Sequence, residues 1–387
     1  MKIFRTVAAL VSATLLIVGC GGGGGGSAGG GSPTPSTPQV SSVMNIGSHV
    51  NQVATYAAGD LNGDGLEDVV VSGWNSDVAT AYVYIMMQNS DGTLTDRTSQ
   101  LLANNVVEGS QKILIGDFDS DGHVDIFIPG FGDGSRIYGA HSVMFWGSSG
   151  QYVREDWSDV NSAHGACIAD MNNDGKPDLL VAGSSFNDNA VGGVYLNNGN
   201  RHFTLNTTAL PSSYFTACAV IANGNSNTIY FSNAHAVAGY ADVISTFDFS
   251  LNTLASVPLQ NQAVDTIDAM VADLDGNGQK DFVLSVDTSN TTGERIIVSI
   301  TGATVATVES GKYSTYYARA LSNTSVFFAG DTNNASVFNG LTKYKASSFA
   351  DMAASTQSFI DAFVYQNAQG KLYMLELLNG VYKTREM

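Results

Sequence analysis

The sequence predicts an all-β fold, a seven-bladed β-propeller of four-stranded antiparallel blades. Three observations carry it: a composition poor in charge, a repeat of about 55 residues, and strand–turn–strand patterns inside each repeat. Charged residues make up 13% of the 387 residues, against 42 Gly, 18 Phe and 16 Tyr. Few charges with many glycines and aromatics suit strands and turns better than helices.

The repeat is the strongest of the three. Four segments align: Asp60-Leu-Asn62-Gly-Asp64-Gly-Leu66-Glu-Asp68, Asp117-Phe-Asp119-Ser-Asp121-Gly-His123-Val-Asp125, Asp170-Met-Asn172-Asn-Asp174-Gly-Lys176-Pro-Asp178 and Asp273-Leu-Asp275-Gly-Asn277-Gly-Gln279-Lys-Asp281. Each lies between a short apolar run and a second one rich in Val, Ile, Leu or Phe, so each joins two strands. The double step from 170 to 273 predicts a degenerate copy, and Asn223, Asn225 and Asn227 stand there without carboxylates. Weaker copies run through Tyr317–Gly330 and Phe359–Leu375, giving about seven units. Asn198-Gly199-Asn200 is the turn between two further strands of the third unit. The last unit ends on a strand near Val381–Arg385, and a spare strand lies at Ser42–Ile46. Their pairing is expected to close the ring and cover a sheet edge.

The four loops point to calcium. Positions 1, 3, 5 and 9 offer side-chain oxygen, and the backbone carbonyl of position 7 (Leu66, His123, Lys176, Gln279) offers a fifth ligand. Position 6 is always Gly, where the chain must turn sharply. A flexible all-oxygen set favours Ca²⁺ over Zn²⁺, copper or Mg²⁺. An EF-hand needs a bidentate Glu at position 12; here Val71, Ile128, Val181 and Leu284 occupy it. About four calcium sites are expected, and the fifth copy at Asn223 is doubtful.

Residues 50–387 resemble FG-GAP/VCBS propeller repeats, also found in integrin α-chain heads. Gly59-Asp60-Leu61-Asn62-Gly63-Asp64-Gly65 and Val194-Tyr-Leu-Asn-Asn-Gly199 carry the likeness. The resemblance implies a propeller fold and bound calcium. It is unspecific for activity, because such repeats serve adhesion, ligand binding and some polysaccharide-degrading enzymes.

The first forty residues read as an address. Lys2 and Arg5 precede an apolar run from Val7 to Val18, a secretory signal. Leu16-Ile-Val-Gly19-Cys20 resembles a bacterial lipobox, which makes Cys20 the lipidation site. Residues 21–41 form a Gly/Ser/Pro-rich tether, and the propeller is expected over 42–387. Gly21 rather than Asp after the cysteine favours the outer membrane of a Gram-negative cell, at its periplasmic or surface face.

The formal net charge of −18 leaves no basic patch for nucleic acid. Partners are instead expected on the face opposite the calcium loops. Trp74, Phe131, Arg136, Phe186 and His235 are the candidates there for holding a glycan or a protein. Trp157, Tyr214 and Phe215 are placed in connectors on the same face. No nucleophile elbow, zinc motif or phosphate loop is present, so a recognition or adhesion module is the leading reading and a lyase or hydrolase the alternative. Cys167 and Cys218 sit at nearly equivalent places in adjacent units, either as buried thiols or as a disulfide.

Overall fold

The computed structural model describes residues 40–45, 52–74, 80–131, 140–161, 163, 165–182, 192–207, 217–223, 226–231, 243–248, 253–258, 265–272, 278–287, 293–298, 304–308, 314–322, 325–331, 338–345, 348–352, 361–367, 369–378 and 381–386. Beyond residue 241, side chains are described only at 269–272, 278–282 and a few positions between 365 and 373. The expected signal segment, Cys20 and nearly all of the tether lie outside these residues. Val40–Met387 forms a compact unit by itself.

Strand β1 (Val40–Asn45) opens the chain. The first sheet follows, with β2 (Gln52–Gly59), β3 (Asp68–Trp74), β4 (Ala81–Gln88) and β5 (Leu94–Asp96), then a one-turn helix α1 (Thr98–Leu101) and a short β6 (Val106–Val107) paired to β4. The second holds β7 (Leu114–Gly116), β8 (Asp125–Ile128), β9 (Ala140–Trp146) and β10 (Val153–Asn161). The third holds β11 (Ala166–Ala169), β12 (Asp178–Val181), β13 (Gly193–Asn197) and β14 (Phe203–Asn206). The fourth holds β15 (Cys218–Asn223), β16 (Ser226–Phe231), β17 (Val243–Asp248) and β18 (Thr253–Pro258). The fifth has β19 (Asp265–Ala272), β20 (Asp281–Asp287), β21 (Gly293–Val298) and β22 (Thr304–Val308). The sixth has β23 (Ser314–Ser322), β24 (Ser325–Asp331), β25 (Phe338–Lys345) and β26 (Ser348–Met352). The last contains β27 (Asp361–Gln366), β28 (Leu372–Leu378) and β29 (Val381–Glu386). Its outer strand is β1, antiparallel to β29 with Val43 opposite Lys383. Among the described strands every pairing is antiparallel between neighbours in sequence, apart from β1–β29 and β4–β6.

The second strand of each early unit is a continuous apolar run because both of its faces are covered. Val69, Val70 and Val71 are buried, as are Ile126-Phe127-Ile128 and Leu179-Leu180-Val181. Alternate residues serve different neighbours, as the two-residue period of a strand requires. Val70 packs with Ile126, Ile128 and Phe145 of the second sheet. Val69 and Val71 pack with Tyr365 and Tyr373 of the last sheet. Phe127 packs with Leu179, Val181 and Tyr195 of the third sheet, and that cluster runs on to Ile229 of the fourth. Sheets stacked this way bury both faces, so strands here lack the polar-out alternation of a one-sided sheet.

Trp157 lies on β10 rather than in a connector. Its ring is 4.9 Å from Phe127, 5.1 Å from Tyr195 and 5.2 Å from Phe203, so it fills the gap between the second and third sheets. Cys167 and Cys218 form a disulfide between β11 and β15, with Cα atoms 6.0 Å apart. The register shifts their equivalence by two residues. Ala169 faces Asp178 and Ala222 faces Asn227, so Val220, not Cys218, occupies the place of Cys167.

Candidate functional site: the acidic loops

The three described loops share one hydrogen-bond plan. Their first aspartate folds the chain over itself. Asp60 Oδ1 accepts N–H bonds from Gly63 and Asp64, at 2.8 and 3.0 Å, and its Oδ2 accepts one from Gly65 at 2.8 Å. Asp117 accepts from Asp121 and Gly122 at 3.1 and 3.0 Å, and Asp170 from Asp174 and Gly175 at 3.0 and 2.8 Å. Position 3 also accepts from position 5, through Asn62, Asp119 and Asn172. Position 5 accepts from position 7, where the N–H groups of Leu66, His123 and Lys176 donate. These bonds aim side-chain oxygens of alternate residues at the loop interior.

Position 6 is Gly for its backbone conformation alone. Gly65, Gly122, Gly175 and Gly278 have φ between +82° and +87°, and an added Cβ would meet nothing within 4 Å. Position 4 is left-handed too, and there Ser120 and Asn173 adopt it without being glycine, at φ of 62° and 57°.

The last aspartate is a buried clamp. Asp68, Asp125 and Asp178 are wholly buried. One carboxylate oxygen accepts the N–H of position 2, from Leu61, Phe118 and Met171 at 3.0, 2.7 and 2.7 Å. The other accepts an N–H at the end of the third strand, from Gln88, Gly147 and Asn197 at 2.8, 2.6 and 2.7 Å. Burial pushes the carboxyls of Asp68, Asp125 and Asp178 up to about 6; the two N–H bonds oppose the shift and the neighbouring loop acids add to it. Such a group accepts a proton readily, or shares its charge with a cation.

The donors suit a hard cation. Asp117, Asp119 and Asp125 each bring a carboxylate oxygen within 4.8 Å of the others. No cysteine or histidine stands at positions 1, 3, 5 or 9 of the four loops. In the fourth loop Asp273, Asp275 and Asn277 lie outside the described residues, while Gly278, Gln279 and the buried Asp281 keep the same places as in the other three.

The fourth, sixth and seventh sheets shorten the equivalent connection. Asn223 pairs with Ser226, Ser322 with Ser325, and Gln366 with Leu372. Asn227 therefore stands at position 9, not position 5. It is buried, and it donates to the carbonyl of Asp170 at 2.9 Å. A side-chain amide replaces the carboxylate and ties its sheet to the neighbouring loop.

Two further features hold these loops in place. Position 2 is an apolar plug: Leu61, Phe118 and Met171 are buried against the next sheet. The end of the third strand carries an amide that spans two sheets. Asn197 donates to Pro177 O in its own loop at 3.1 Å and to Phe118 O in the preceding one at 2.6 Å. Gln88 does the same toward Glu67 O and Gln366 O, at 2.7 and 2.8 Å. The Val194-Tyr-Leu-Asn-Asn phrase was the available signal for the first of these.

On the opposite face, Phe131 is buried, and its backbone N–H donates to Glu108 O at 3.4 Å, so it is not a displayed aromatic. Trp74 ends β3, with its side chain outside the described residues. Arg136, Phe186, His235, Tyr214 and Phe215 lie outside them as well.

Four-stranded antiparallel sheets packed face to face, the first three with an oxygen-lined loop between their first two strands, define a β-propeller with acidic repeats. Within it, residues 46–128 match the FG-GAP-like repeat family. Solved structures share the fold at low identity. BBS1N in complex with ARL6DN superposes with a TM-score of 0.54 at 9% identity, covering 90% of this chain and 96% of that one. The Dos1 propeller gives 0.51 at 8% identity, with 90% and 95% covered. The GH74 xyloglucanase from Xanthomonas campestris gives 0.53 at 11% identity, covering 89% of this chain; this chain spans about half of that enzyme, 54%. No curated protein sequence matches the chain at a significant level.

Proposed function

We propose that this protein is a calcium-stabilised recognition module, exported and held at a membrane by a lipid on Cys20. The observation that carries the calcium reading is the convergence of Asp117, Asp119 and Asp125, whose carboxylate oxygens lie within 4.8 Å of one another. Calcium relieves the repulsion among such acids and orders the loop, so binding and folding are linked. In this reading Asp60, Asn62, Asp64, Asp68, their counterparts in the other loops and the carbonyls of position 7 hold about four ions. The ions act on stability, and a glycan or protein partner docks on the face away from them.

The same reading closes residues 40–387 into a seven-bladed ring. Support comes from β1 completing the last sheet, and from Tyr365 Oη donating to Gly92 O at 2.8 Å, which sets the last sheet against the first. Export is supported by the Lys2–Cys20 pattern and by the Cys167–Cys218 disulfide, a bond that persists in oxidising compartments. Protein binding has a parallel in a propeller of similar fold in complex with ARL6DN, and glycan chemistry has one in the xyloglucanase.

A glycan array probed with the mature protein, with calcium and with chelator, tests the role. Binding without turnover is the expected result. New reducing ends or unsaturated products from a bound glycan would replace the module by a polysaccharide-active enzyme.

A further inference from the structure

The second loop differs from its neighbours in charge. Positions 1, 3, 5 and 9 hold four carboxylates, Asp117, Asp119, Asp121 and Asp125, where the first and third loops carry Asn62 and Asn172 at position 3. A cation from another sheet meets the extra charge. Arg201 Nε donates to Asp119 Oδ2 at 2.6 Å, and its Nη2 lies 3.6 Å from Asp121 Oδ2. The guanidinium rests over the ring of Trp146 on β9, 5.0 Å from its centroid. Asp119 is only 6% exposed at its side chain, so the pair is sheltered from solvent on the carboxylate side.

The backbone shows that this placement is built in. Arg201 belongs to the turn between β13 and β14, where His202 N–H donates to Gly199 O at 3.1 Å. Asn200 and Arg201 take φ of 54° and 60°. Glycine or asparagine usually fills such positions, and a long side chain there costs about 1 kcal/mol. The corresponding outer turn of the first sheet reaches its left-handed residue with Gly92 instead. Oxygens of the two loop acids remain on the loop side: Asp119 Oδ1 accepts Asp121 N–H, and Asp121 Oδ1 accepts His123 N–H. The guanidinium takes only the outward oxygens.

We propose that Arg201 is a fixed counter-cation that lowers the calcium affinity of the second loop and joins that site to the third sheet. The inference rests on the calcium reading above. A unit positive charge one carboxylate away from a divalent ion opposes its binding by about tenfold at high effective dielectric. The third loop also meets a cation, Lys176 Nζ at 2.8 Å from Asp174 Oδ2, but that lysine belongs to the loop itself, whereas Arg201 reaches the second loop from another sheet.

Calcium titration calorimetry on the mature protein, native and Arg201→Gln, tests this, with the chelated melting temperature of each as the control for folding. Terbium emission excited through tryptophan, lost in Trp146→Phe, assigns the affected site. One calcium constant should tighten about tenfold in Arg201→Gln while the number of sites stays the same, and Arg201→Lys should remain near native. Constants that are unchanged or weaker in a folded Arg201→Gln overturn this inference alone. A native protein that binds no calcium overturns the calcium reading with it.

Discussion

At the residue scale, the buried ninth-position aspartates set the pH response. Their ordinary value is 3.8, and burial raises Asp68, Asp125 and Asp178 to about 6. The native state then binds more protons than the unfolded chain between those values. The contribution of these groups is full below pH 3.8 and is lost as pH rises through about 6. Chelator-treated protein should therefore show a higher urea midpoint at pH 5 than at pH 7.5. With calcium the order should invert, because protons compete for the same oxygens. Equal slopes with and without calcium would show that these carboxylates do not hold the ion. Replacing the left-handed Gly175 with Ala, where no neighbour obstructs the Cβ, tests the backbone demand by itself. The cost should be about 1 kcal/mol, read as a lower melting temperature, with weaker calcium binding at that loop.

At the scale of elements, the amide clamps explain why sheets so poor in charge hold their register. Asn197 satisfies carbonyls from two sheets, and Asn227 satisfies the carbonyl of Asp170 in the neighbouring loop. Asn197→Ala leaves Phe118 O without that donor in a dry setting and should destabilise the protein by about 1–3 kcal/mol, seen in chemical denaturation. Leu at the same position should do no better, since it fills space and donates nothing. The repeat made the calcium loops and their flanking strands legible, because alternation of oxygen donors survives in the letters. The clamps were not legible, because Gln88, Gly147 and Asn197 share a place in the fold without sharing a side chain. The register of Asn227 is hidden for a related reason. Its loop is shorter, and only the pairing of Ala222 with Asn227 reveals that it replaces Asp178. Phe131 and Trp157 read as display residues because an aromatic between two sheets and one on a surface look alike in sequence.

For the whole molecule, two fastenings bear on separate seams. The Cys167–Cys218 disulfide spans 51 residues and joins the third sheet to the fourth, the first sheet whose loop lacks carboxylates. A chain-entropy argument gives it about 4 kcal/mol, so reduction should lower the melting temperature by several degrees, and further when calcium is also removed. The second fastening is β1 on β29, which unites the two ends of residues 40–387 in one sheet. In a closed ring, that pairing is what prevents the last sheet from presenting a bare edge. Removing residues 40–46 would leave the outer side of β29 without backbone partners, a template for another chain. The truncated protein should melt at a lower temperature and should move from monomer toward larger species in size-exclusion chromatography. A synthetic peptide of residues 40–46 added in trans should reverse part of the shift. If the truncated chain stays monomeric with an unaltered melt, β1 does not fasten the molecule, and the stability of residues 47–387 rests on face-to-face packing between sheets.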